Sequence, residues 1–355
     1  MALDLIRIRN LRNISEASLE PSAGINIFEG PNGSGKTSLL EAIYLLGRGR
    51  SFRGNRIASV IQKNKQTLEL YCEAENNKKS VKIGLRKTTV ATDVKINGVR
   101  INKLSLLARE LPLHLITPRS HEIIEGKADY RRRFLEWGVF HVEPRYQYYS
   151  ARYQRVLAQR NAALKRDVAS VDHWNIELAR SGDELNQMRL EYLRSLEPIL
   201  IDELQYLIPN ISISLSWKQG WDQNTDLIDS LTRNRERDIH KGYTSGGPHR
   251  ADLVIMSSGE PASRILSRGQ QKLIVIGLIL SQSKLLKNIT GMNPIIMVDD
   301  LESELDQTNK ISIVQRLIAQ NTQVIITRTD NNRTSNYQMD KLFHVEHGAV
   351  SEERV

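Results

Sequence analysis

Eight residues near the N-terminus combine glycine, lysine and threonine in an order that suits phosphate chemistry. Residues 30–37 read Gly-Pro-Asn-Gly-Ser-Gly-Lys-Thr, between an apolar strand pattern at 25–29 and an apolar helical pattern. Glycines let backbone amides curl around phosphates, the lysine ammonium reaches them, and the threonine hydroxyl ligates Mg²⁺. A glycine-rich turn is the alternative, but a chance match has a frequency on the order of one per cent. The expected nucleotide-binding residues are Gly30, Pro31, Asn32, Gly33, Ser34, Gly35, Lys36 and Thr37.

A second group of candidate residues ends an apolar strand late in the chain. Pro294 introduces the run Ile-Ile-Met-Val at 295–298, and Asp299 and Asp300 follow it. Open α/β sheets bind ligands at the carboxyl ends of their strands. We therefore expect Asp299 to hold Mg²⁺ together with Thr37, and we expect Asp299, Asp300 and Lys36 to be catalytic. The alternative for the two carboxylates is an acidic turn after a buried strand.

A third motif lies at residues 266–272, which read Leu-Ser-Arg-Gly-Gln-Gln-Lys. Ser267 and Gln270 have capping-box spacing, which predicts that a helix begins here, and a simple cap is one interpretation. The motif also resembles the Leu-Ser-Gly-Gly-Gln signature of ABC-type ATPases. That resemblance implies that Ser267, Gly269 and Gln270 contact the γ-phosphate bound by a second subunit, so that ATP joins two heads into a homodimer.

Three further parts of the sequence can be compared with the ABC-type pattern: one matches it and two depart from it. Residues 303–306, Ser-Glu-Leu-Asp, match the D-loop that lines the same dimer interface. Many relatives carry a glutamate where this chain has Asp300, which is one methylene shorter, so we expect slow hydrolysis with Glu302 as a possible helper. The usual γ-phosphate-sensing histidine is missing after the strand at 324–327, and Arg328 or Thr329 is the candidate substitute.

The spacing of these motifs narrows the resemblance to one family. Ser267 of the signature lies 231 residues after Lys36 of the phosphate loop. In a transporter subunit the two motifs are much closer together, and in an SMC protein hundreds of residues of coiled-coil arm would separate them. Gly-Pro-His-Arg-Ala-Asp-Leu at 247–253 is similar to a motif of the RecF family, and so is the stretch 118–136. The matching residues there are Pro118, Ile123, Ile124, Gly126, Arg131, Arg132, Phe134, Leu135 and Glu136, and the departures are Arg119, Lys127 and Ala128.

Resemblance to the RecF family implies a function in DNA repair and replication restart. It implies an ATP-dependent homodimer that binds gapped DNA at single-strand/double-strand junctions. It further implies that the protein works with RecO and RecR to load RecA onto single strands. The alternatives are an SMC-like scaffold that binds ATP without gripping DNA, and an ATP-coupled nuclease. The nuclease is disfavoured because the sequence shows no separate cluster of histidines and carboxylates at metal-site spacing.

The elements that must position these motifs follow an α/β pattern with an inserted helical segment. Strand patterns occur at 3–8, 25–29, 67–73, 79–85 and 90–101, with a hairpin turn at Asn97-Gly98. Helical periodicity dominates from 127 to 206, with breaks expected at Pro144 and 167–172. The prediction is a P-loop ABC-type ATPase head with a β-rich N-terminal subdomain and a mostly helical insertion. Its predicted parts are 1–119, 120–240 and 241–355.

Composition suits a soluble protein with a polyanionic partner. Net charge is +9 and the pI is about 9.5, which favours DNA binding as much as it favours mere solubility. A single cysteine, Cys72, excludes an internal disulfide and favours a reducing compartment. The start of the chain lacks a signal-peptide pattern, and the longest purely apolar run, 273–280, is too short to span a bilayer. We therefore expect a cytoplasmic protein without a membrane partner.

The helical segment carries a basic excess between residues 127 and 166. Tyr146, Tyr149 and Tyr153 share a helical stripe that favours packing over base stacking. The other side of the helix carries arginines that could contact DNA or simply be solvated, namely Arg145, Arg152, Arg155 and Arg166. The arginines at 131–133 could instead brace the junction between the head and the helical segment. The ten basic residues are Lys127, Arg131, Arg132, Arg133, Arg145, Arg152, Arg155, Arg160, Lys165 and Arg166.

Overall fold

The computed structural model describes residues 1–54, 57–76, 79–300, 306–329 and 339–353. Strands in this part of the chain are β1 (Ala2–Leu11), β2 (Ile14–Leu19), β3 (Ile25–Glu29), β4 (Leu68–Asn76), β5 (Lys79–Lys87), β6 (Thr92–Ile96), β7 (Val99–Arg100), β8 (Leu113–Ile116), β9 (Ile213–Lys218), β10 (Asp252–Ser257), β11 (Glu260–Pro261), β12 (Ile295–Val298), β13 (Val324–Arg328), β14 (Lys341–Glu346) and β15 (Ala349–Glu353). Helices are α1 (Lys36–Arg48), α2 (Ser105–Glu110), α3 (Glu122–Glu125), α4 (Ala128–Val142), α5 (Tyr146–Arg166), α6 (Val171–Leu207), α7 (Leu227–Arg233), α8 (Arg235–Lys241), α9 (Ala262–Ile265), α10 (Arg268–Thr290) and α11 (Gln307–Ala319).

The chain divides into two compact units. The first comprises Met1–Ser120 and Leu286–Val355, and the second comprises His121–Leu285. This division places the C-terminal boundary later than the predicted 240/241, because β10 pairs with β9 and α4 packs on β10, which tie that stretch to the insertion. The predicted assignment of 1–119 and 241–355 to one functional head stays a prediction.

A parallel sheet forms the centre of the first unit. Its order is β15-β14-β3-β13-β12-β8, and every pair is parallel except the terminal hairpin β14–β15. Every residue of β3, β12 and β13 is buried, as expected for central parallel strands covered on both faces. Because Glu29 pairs in register with Arg328, the carboxyl ends of β3 and β13 meet at one edge of the sheet.

An antiparallel sheet of order β2-β1-β4-β5-β6-β7 completes the first unit. One apolar core includes Ile6 and Leu70 of this sheet, Leu40 and Ile43 of α1, and Ile325 of the parallel sheet. Helix α1 therefore packs into the same core as both sheets, which fixes the helix that starts at the phosphate loop. The predicted Asn-Gly turn between β6 and β7 is confirmed, with left-handed φ values of 51° and 80° at residues 97 and 98.

The second unit is mostly helical. The predicted breaks are confirmed: α4 ends at Val142, and a short 3-10 turn at Val168–Ser170 separates α5 from α6. Helix α6 runs for 37 residues and continues through Pro198. A small antiparallel sheet of order β11-β10-β9 follows. Helices α7 and α8 were missed, because they are short and lie in a polar stretch of the sequence.

One helix in the described part of the chain, α10, is long and apolar enough to cross a membrane by length and composition alone. Its most apolar window has a mean hydropathy of 1.3, and 72% of that window is buried inside the protein. Burial of this kind is typical of the core helix of a globular protein, which passes the same test of length and composition.

Candidate nucleotide-binding site

The phosphate-loop motif lies between β3 and α1, as the sequence predicted. Helix α1 begins at Lys36, directly after Gly35, whose φ of +126° favours glycine. A Cβ atom at Gly30 would lie 2.1 Å from the carbonyl oxygen of Val345, so only glycine fits beside β14. The loop therefore has the backbone conformation and the close strand contact that its glycines allow.

Two contacts from outside hold the loop at Ser34. The Asn13 Nδ2 atom donates to the Ser34 carbonyl at 2.9 Å, and the Gly348 backbone N–H donates to the same oxygen at 2.8 Å. These donors come from the turn between β1 and β2 and from the hairpin β14–β15. Because both lie in tight turns of the first unit, the loop has a rigid support.

Lys36 is only 9% exposed, and the loop itself holds its ammonium group. The Nζ atom donates to the carbonyl oxygens of Gly30 at 2.6 Å and Pro31 at 2.9 Å. The positive charge therefore lies at the centre of the loop, next to the amino-terminal end of α1, where anions are stabilised.

Asp299 accepts hydrogen bonds from two threonines at the carboxyl edge of the parallel sheet. Its Oδ1 atom lies 3.0 Å from the Thr37 hydroxyl and 2.9 Å from the Thr327 hydroxyl. Burial raises the pKa of Asp299, while the hydrogen bonds from Thr327 and Thr37 partly oppose that rise. The structure thus brings the two predicted metal ligands, Thr37 and Asp299, into direct contact.

Asp300 is exposed and adopts the left-handed conformation, with φ of +54°. Its backbone N–H donates to the Thr327 hydroxyl at 2.9 Å, which fixes the turn after β12. Asp300 lies on the wall of the same cleft as Lys36. Glu302, the candidate helper in hydrolysis, lies outside the described residues, and so do residues 303–305 of the D-loop, which is predicted to line the dimer interface.

These side chains surround a cleft of about 430 Å³. Sequence reasoning missed several of its residues, because Arg12 and Asn13 follow β1, Arg53 follows α1, and only folding brings them to the loop. A left-handed turn at Arg12, φ +48°, offers no motif to recognise. The lining residues are Arg12, Asn13, Asn32, Gly33, Gly35, Lys36, Thr37, Ser38, Arg53, Pro118, Asp299, Asp300, Thr327, Arg328 and Thr329.

The two candidates to replace the missing histidine both line the cleft but differ in their contacts. Arg328 is the last residue of β13, is 4% exposed, and forms a buried ion pair with Glu29. Thr329 follows it and is only half-buried. Because the Arg328 guanidinium is committed to Glu29, Thr329 is the freer of the two to respond to a bound phosphate.

The oxygen atoms at the cleft suit Mg²⁺. A threonine hydroxyl and a carboxylate are the hard oxygen ligands that this ion prefers, and it usually takes few protein ligands, leaving the rest to phosphates and water. The contact between Thr37 and Asp299 provides this pair. No group of three or more histidine, cysteine or acidic side chains gathers elsewhere in the described ranges.

The signature residues Ser267, Gly269 and Gln270 belong to the second unit. Ser267 and Gln270 form the predicted capping box: the Ser267 N–H donates to Gln270 Oε1 at 2.9 Å, and the Gln270 N–H donates to Ser267 Oγ at 3.3 Å. All three residues are accessible at the start of α10 or just before it. Their arrangement leaves this helix start available to an anion.

The two family-like stretches at 118–136 and 247–253 meet inside the second unit. Arg131 forms a bidentate ion pair with Asp252, at 2.7 and 3.0 Å, and Arg132 donates to the Ala251 carbonyl at 2.8 Å. These contacts commit Arg131 and Arg132 to bracing within the second unit, and the predicted bracing of the junction with the head stays a prediction. Arg133 instead pairs with Asp129 on the helix surface.

His249 is the centre of a second contact network in this unit. Its Nδ1 atom lies 2.7 Å from the Tyr153 hydroxyl, and its Nε2 atom lies 3.1 Å from the Thr244 carbonyl. Since a carbonyl can only accept, Nε2 carries the proton and Nδ1 accepts from Tyr153. Burial lowers the pKa of His249 to about 4, with Arg250 and Arg132 adding to the effect.

The expected basic face on α4 and α5 is much smaller than the sequence indicated. Arg160 is fully buried and pairs with Asp238 at 2.8 Å, so its inclusion in that face was wrong. Arg152 pairs with Glu177. The tyrosine stripe is confirmed as packing, with Tyr146 and Tyr153 at 4% and 1% exposure. Of the ten basic residues between 127 and 166, the exposed ones without an ion pair among the described residues are Lys127, Arg155, Lys165 and Arg166.

Comparison with known proteins agrees with this geometry. A family model described as the RecF/RecN/SMC N terminal domain matches residues 2–352. The DNA replication and repair protein RecF of Pseudoalteromonas atlantica is 36% identical over 362 residues, covering 99% of this chain and 100% of that protein. RecF of Shewanella woodyi is 40% identical over 359 residues, covering 99% and 98%. The chain belongs to the RecF family.

The RecF fold extends over the whole chain. A solved structure of the recombination mediator protein RecF with ATP, in the RecFOR pathway, superimposes with a TM-score of 0.90 at 25% identity and covers 99% of this chain and 98% of that one. The predicted family and the predicted fold class, an α/β head of the ABC type, are therefore confirmed.

Proposed function

We propose that this RecF-family chain is an ATP-driven dimer that binds DNA containing single-strand gaps in the cytoplasm during repair and replication restart. The contact of 3.0 Å between Thr37 and Asp299 beside the phosphate loop carries the ATP part of the proposal. Two motifs that lie far apart in the sequence meet there, and their oxygens are those that a nucleotide-bound Mg²⁺ requires.

The chain's own residues have separate tasks at this site. Backbone N–H groups of the loop at 30–37, other than Pro31, which has none, bind the phosphates. Lys36 exchanges its bonds to Gly30 and Pro31 for phosphate oxygens. Bound Mg²⁺ supplies charge neutralisation of the phosphates. Thr327 keeps Asp299 oriented, and Asp300 orients the attacking water from the cleft wall. The short Asp300 side chain makes the ATPase slow.

Dimerisation depends on the signature residues of a second copy. Ser267, Gly269 and Gln270 stand at the start of a 23-residue helix, where the backbone amides favour an anion. ATP held in one protomer is then contacted by the signature of its partner, and hydrolysis releases the pair. The ABC-type motif order and the capping-box geometry support this proposal.

Binding to gapped DNA, and cooperation with RecO and RecR in loading RecA, are proposed from membership of the RecF family. The net charge of +9 supports a polyanionic partner. The competing function is an SMC-like scaffold that binds ATP without gripping DNA. Internal pairing of Arg131, Arg152 and Arg160 favours this second candidate, because it removes cations from the expected DNA face.

A gel-shift assay separates the two functions. The Asp300→Asn protein with ATP and Mg²⁺ is titrated into gapped duplex, intact duplex and single strand at several salt concentrations. The proposal expects binding that requires ATP, prefers gapped DNA, and weakens steeply with salt. ATP-dependent dimers without affinity for any of the three DNAs would establish the scaffold function instead.

A further inference from the structure

A row of cations follows the short helices α7 and α8 in the second unit. Arg233 ends α7, and Arg237 and Lys241 lie four residues apart on α8. Residues at this spacing are neighbours on one helix face, about 6 Å apart. Arg233 has only a loose ion pair, 4.0 Å from Asp222, and both side chains are more than half exposed. No ion pair forms at Arg237 or Lys241 within the described residues.

The first two cations of this row face a cleft of about 310 Å³. Hydroxyls, an amide and an indole complete its lining. The Trp221 Nε1–H already donates to the Thr225 carbonyl, and the Ser245 hydroxyl donates to Asp238. The two guanidinium groups are therefore the donors that this lining offers to an anion. Asp222 is the one carboxylate among these residues, and the lining therefore keeps a net positive charge. The lining residues are Gly220, Trp221, Asp222, Thr225, Ser230, Arg233, Asn234, Arg237, Ser245 and Gly246.

An exposed aromatic ring stands at the end of the row. Tyr243 is 41% exposed. The Lys241 Nζ atom lies 5.9 Å from the centroid of its ring, and the Arg250 guanidinium carbon lies 5.3 Å from it. The side chain of Lys165 on α5 lies next to Gly242. Three cations, Lys241, Arg250 and Lys165, therefore lie beside residues 242–243.

The backbone under this surface is held by a buried network. Arg160 pairs with Asp238 at 2.8 Å, and both side chains are fully buried. Asp238 in turn accepts from the Ser245 hydroxyl at 2.6 Å, and the Thr244 N–H donates to Asn161 at 2.8 Å. Helix α8 and residues 242–246 are therefore fixed to α5, so the cations and the ring are displayed on a rigid base.

We propose that this surface, from the cleft at Arg233 and Arg237 to Tyr243, binds a single strand of nucleic acid. The guanidinium groups and Lys241 bind successive backbone phosphates, and Tyr243 stacks on a base while Lys241 and Arg250 hold its ring. Sequence-tolerant binding of single strands uses this combination of a cationic groove and an aromatic platform. The proposal rests on the DNA-binding function proposed above and identifies where the single-stranded part of a gap binds.

The cation row is tested with the double substitution Arg237→Ala/Lys241→Ala in the full chain. Fluorescence anisotropy with a labelled 20-mer of oligo-dT, in ATP and Mg²⁺, measures affinity over a series of salt concentrations. We expect affinity at least about tenfold weaker, and a log–log salt slope smaller by about 1.4, since each phosphate contact to a single strand contributes about 0.7. Arg194→Ala, an exposed arginine of α6, is the matched control and should change neither value.

The aromatic platform is tested with Tyr243→Ala and Tyr243→Phe. Alanine should weaken oligo-dT binding about tenfold with little change in salt slope, because stacking releases no counterions, and phenylalanine should keep most of the affinity. Unchanged thermal melting and unchanged ATP-dependent mass show that each variant is folded.

The results of these experiments separate a failure of the proposed single-strand surface from a failure of the proposed DNA-binding function. If the wild-type chain binds gapped DNA but the double variant and Tyr243→Ala bind oligo-dT like wild type, the surface assignment is wrong and the DNA-binding function stands. Equal losses on intact duplex and oligo-dT would overturn the single-strand assignment. If the wild type binds none of these DNAs, both proposals fail together.

Discussion

The hydroxyl of Thr37 lies 3.0 Å from a carboxylate oxygen of Asp299, although 262 residues separate them in the chain. This contact joins the phosphate loop, at the end of β3, to the acidic turn at the end of β12. Strand β13 lies between those two strands and contributes Thr327, which holds the same oxygen at 2.9 Å. The loop and helix start that follow β3, the turn that follows β12, and β13 between them therefore each deliver one residue to the proposed metal-binding position.

Lys36→Ala should abolish ATP binding while leaving the fold intact. The ammonium is the strongest charge on the loop, and its two hydrogen bonds go to carbonyls of the same loop. We expect affinity for a fluorescent ATP analogue to fall at least about a hundredfold, on the order of 3 kcal/mol for a lost charge-assisted contact. Lys65→Ala, at an exposed lysine, is the control. Retained affinity in the Lys36 variant would exclude residues 30–37 as the phosphate site.

Thr327→Val should weaken the metal site without touching the phosphate loop. The substitution removes a donor to Asp299 and leaves the Asp300 N–H without its acceptor, a loss of about 1–3 kcal/mol in stability. The Mg²⁺ concentration for half-maximal ATP binding should rise several-fold, measured by titration with the metal. Thr327→Ser keeps the hydroxyl and should restore the wild-type value; failure of serine to do so would contradict the role of the hydroxyl.

Asp300→Asn should stop ATP turnover while preserving ATP binding and stability. Asparagine tolerates the left-handed backbone that Asp300 adopts, so the change in unfolding free energy should stay within about 0.5 kcal/mol. Steady-state phosphate release measures turnover, and binding of the fluorescent analogue measures affinity. Turnover at the wild-type rate would show that another residue orients the water.

The stability of the second unit should depend on pH through His249. Its folded pKa of about 4 is below the ordinary value of 6.5, so the neutral form is favoured by folding. That contribution is fully present above pH 6.5 and is lost as pH falls towards 4, by about 2 kcal/mol between pH 7 and pH 5. Urea unfolding at both values should show a smaller loss in His249→Gln. An equal loss in both proteins would show that His249 does not titrate as its burial predicts.

The buried pair of Arg160 and Asp238 should be structural. Arg160→Met leaves the carboxylate of Asp238 buried without its cation, and unfolding free energy should fall by about 3–5 kcal/mol. Arg155→Met, on the exposed face of the same helix, should change it by less than about 0.5 kcal/mol. Chemical denaturation compares them, and a small effect at Arg160 would contradict the bracing role of the pair.

The sequence predicted the site best where the chemistry is local. Residues 30–37 and the run that ends in Asp299 and Asp300 could be recognised because glycine spacing and strand endings are local patterns. Thr327 and Asn13 could not, because their contacts to Asp299 and Ser34 exist only when distant strands meet in register.

The same limit applied to the helical unit. Helical periodicity gave the breaks around α5. The count of basic residues between 127 and 166 overestimated the basic surface, because a charge that is paired inside a fold, as Arg160 is with Asp238, has no sequence signature. Helices α7 and α8 were missed because they bury few apolar side chains, chiefly Leu227 and Leu231. Their surface, which the cation row occupies, became visible only with the structure.

The most direct test of the ATP-driven dimer is light-scattering mass for Asp300→Asn and for Asp300→Asn/Ser267→Arg, each with and without ATP and Mg²⁺. We predict that ATP shifts the first protein from the chain mass of 40.5 kDa to twice that value. The second should bind ATP and remain at the chain mass, because its signature helix start is blocked. A first protein that stays at the chain mass with ATP bound, or a second that dimerises normally, would contradict the account.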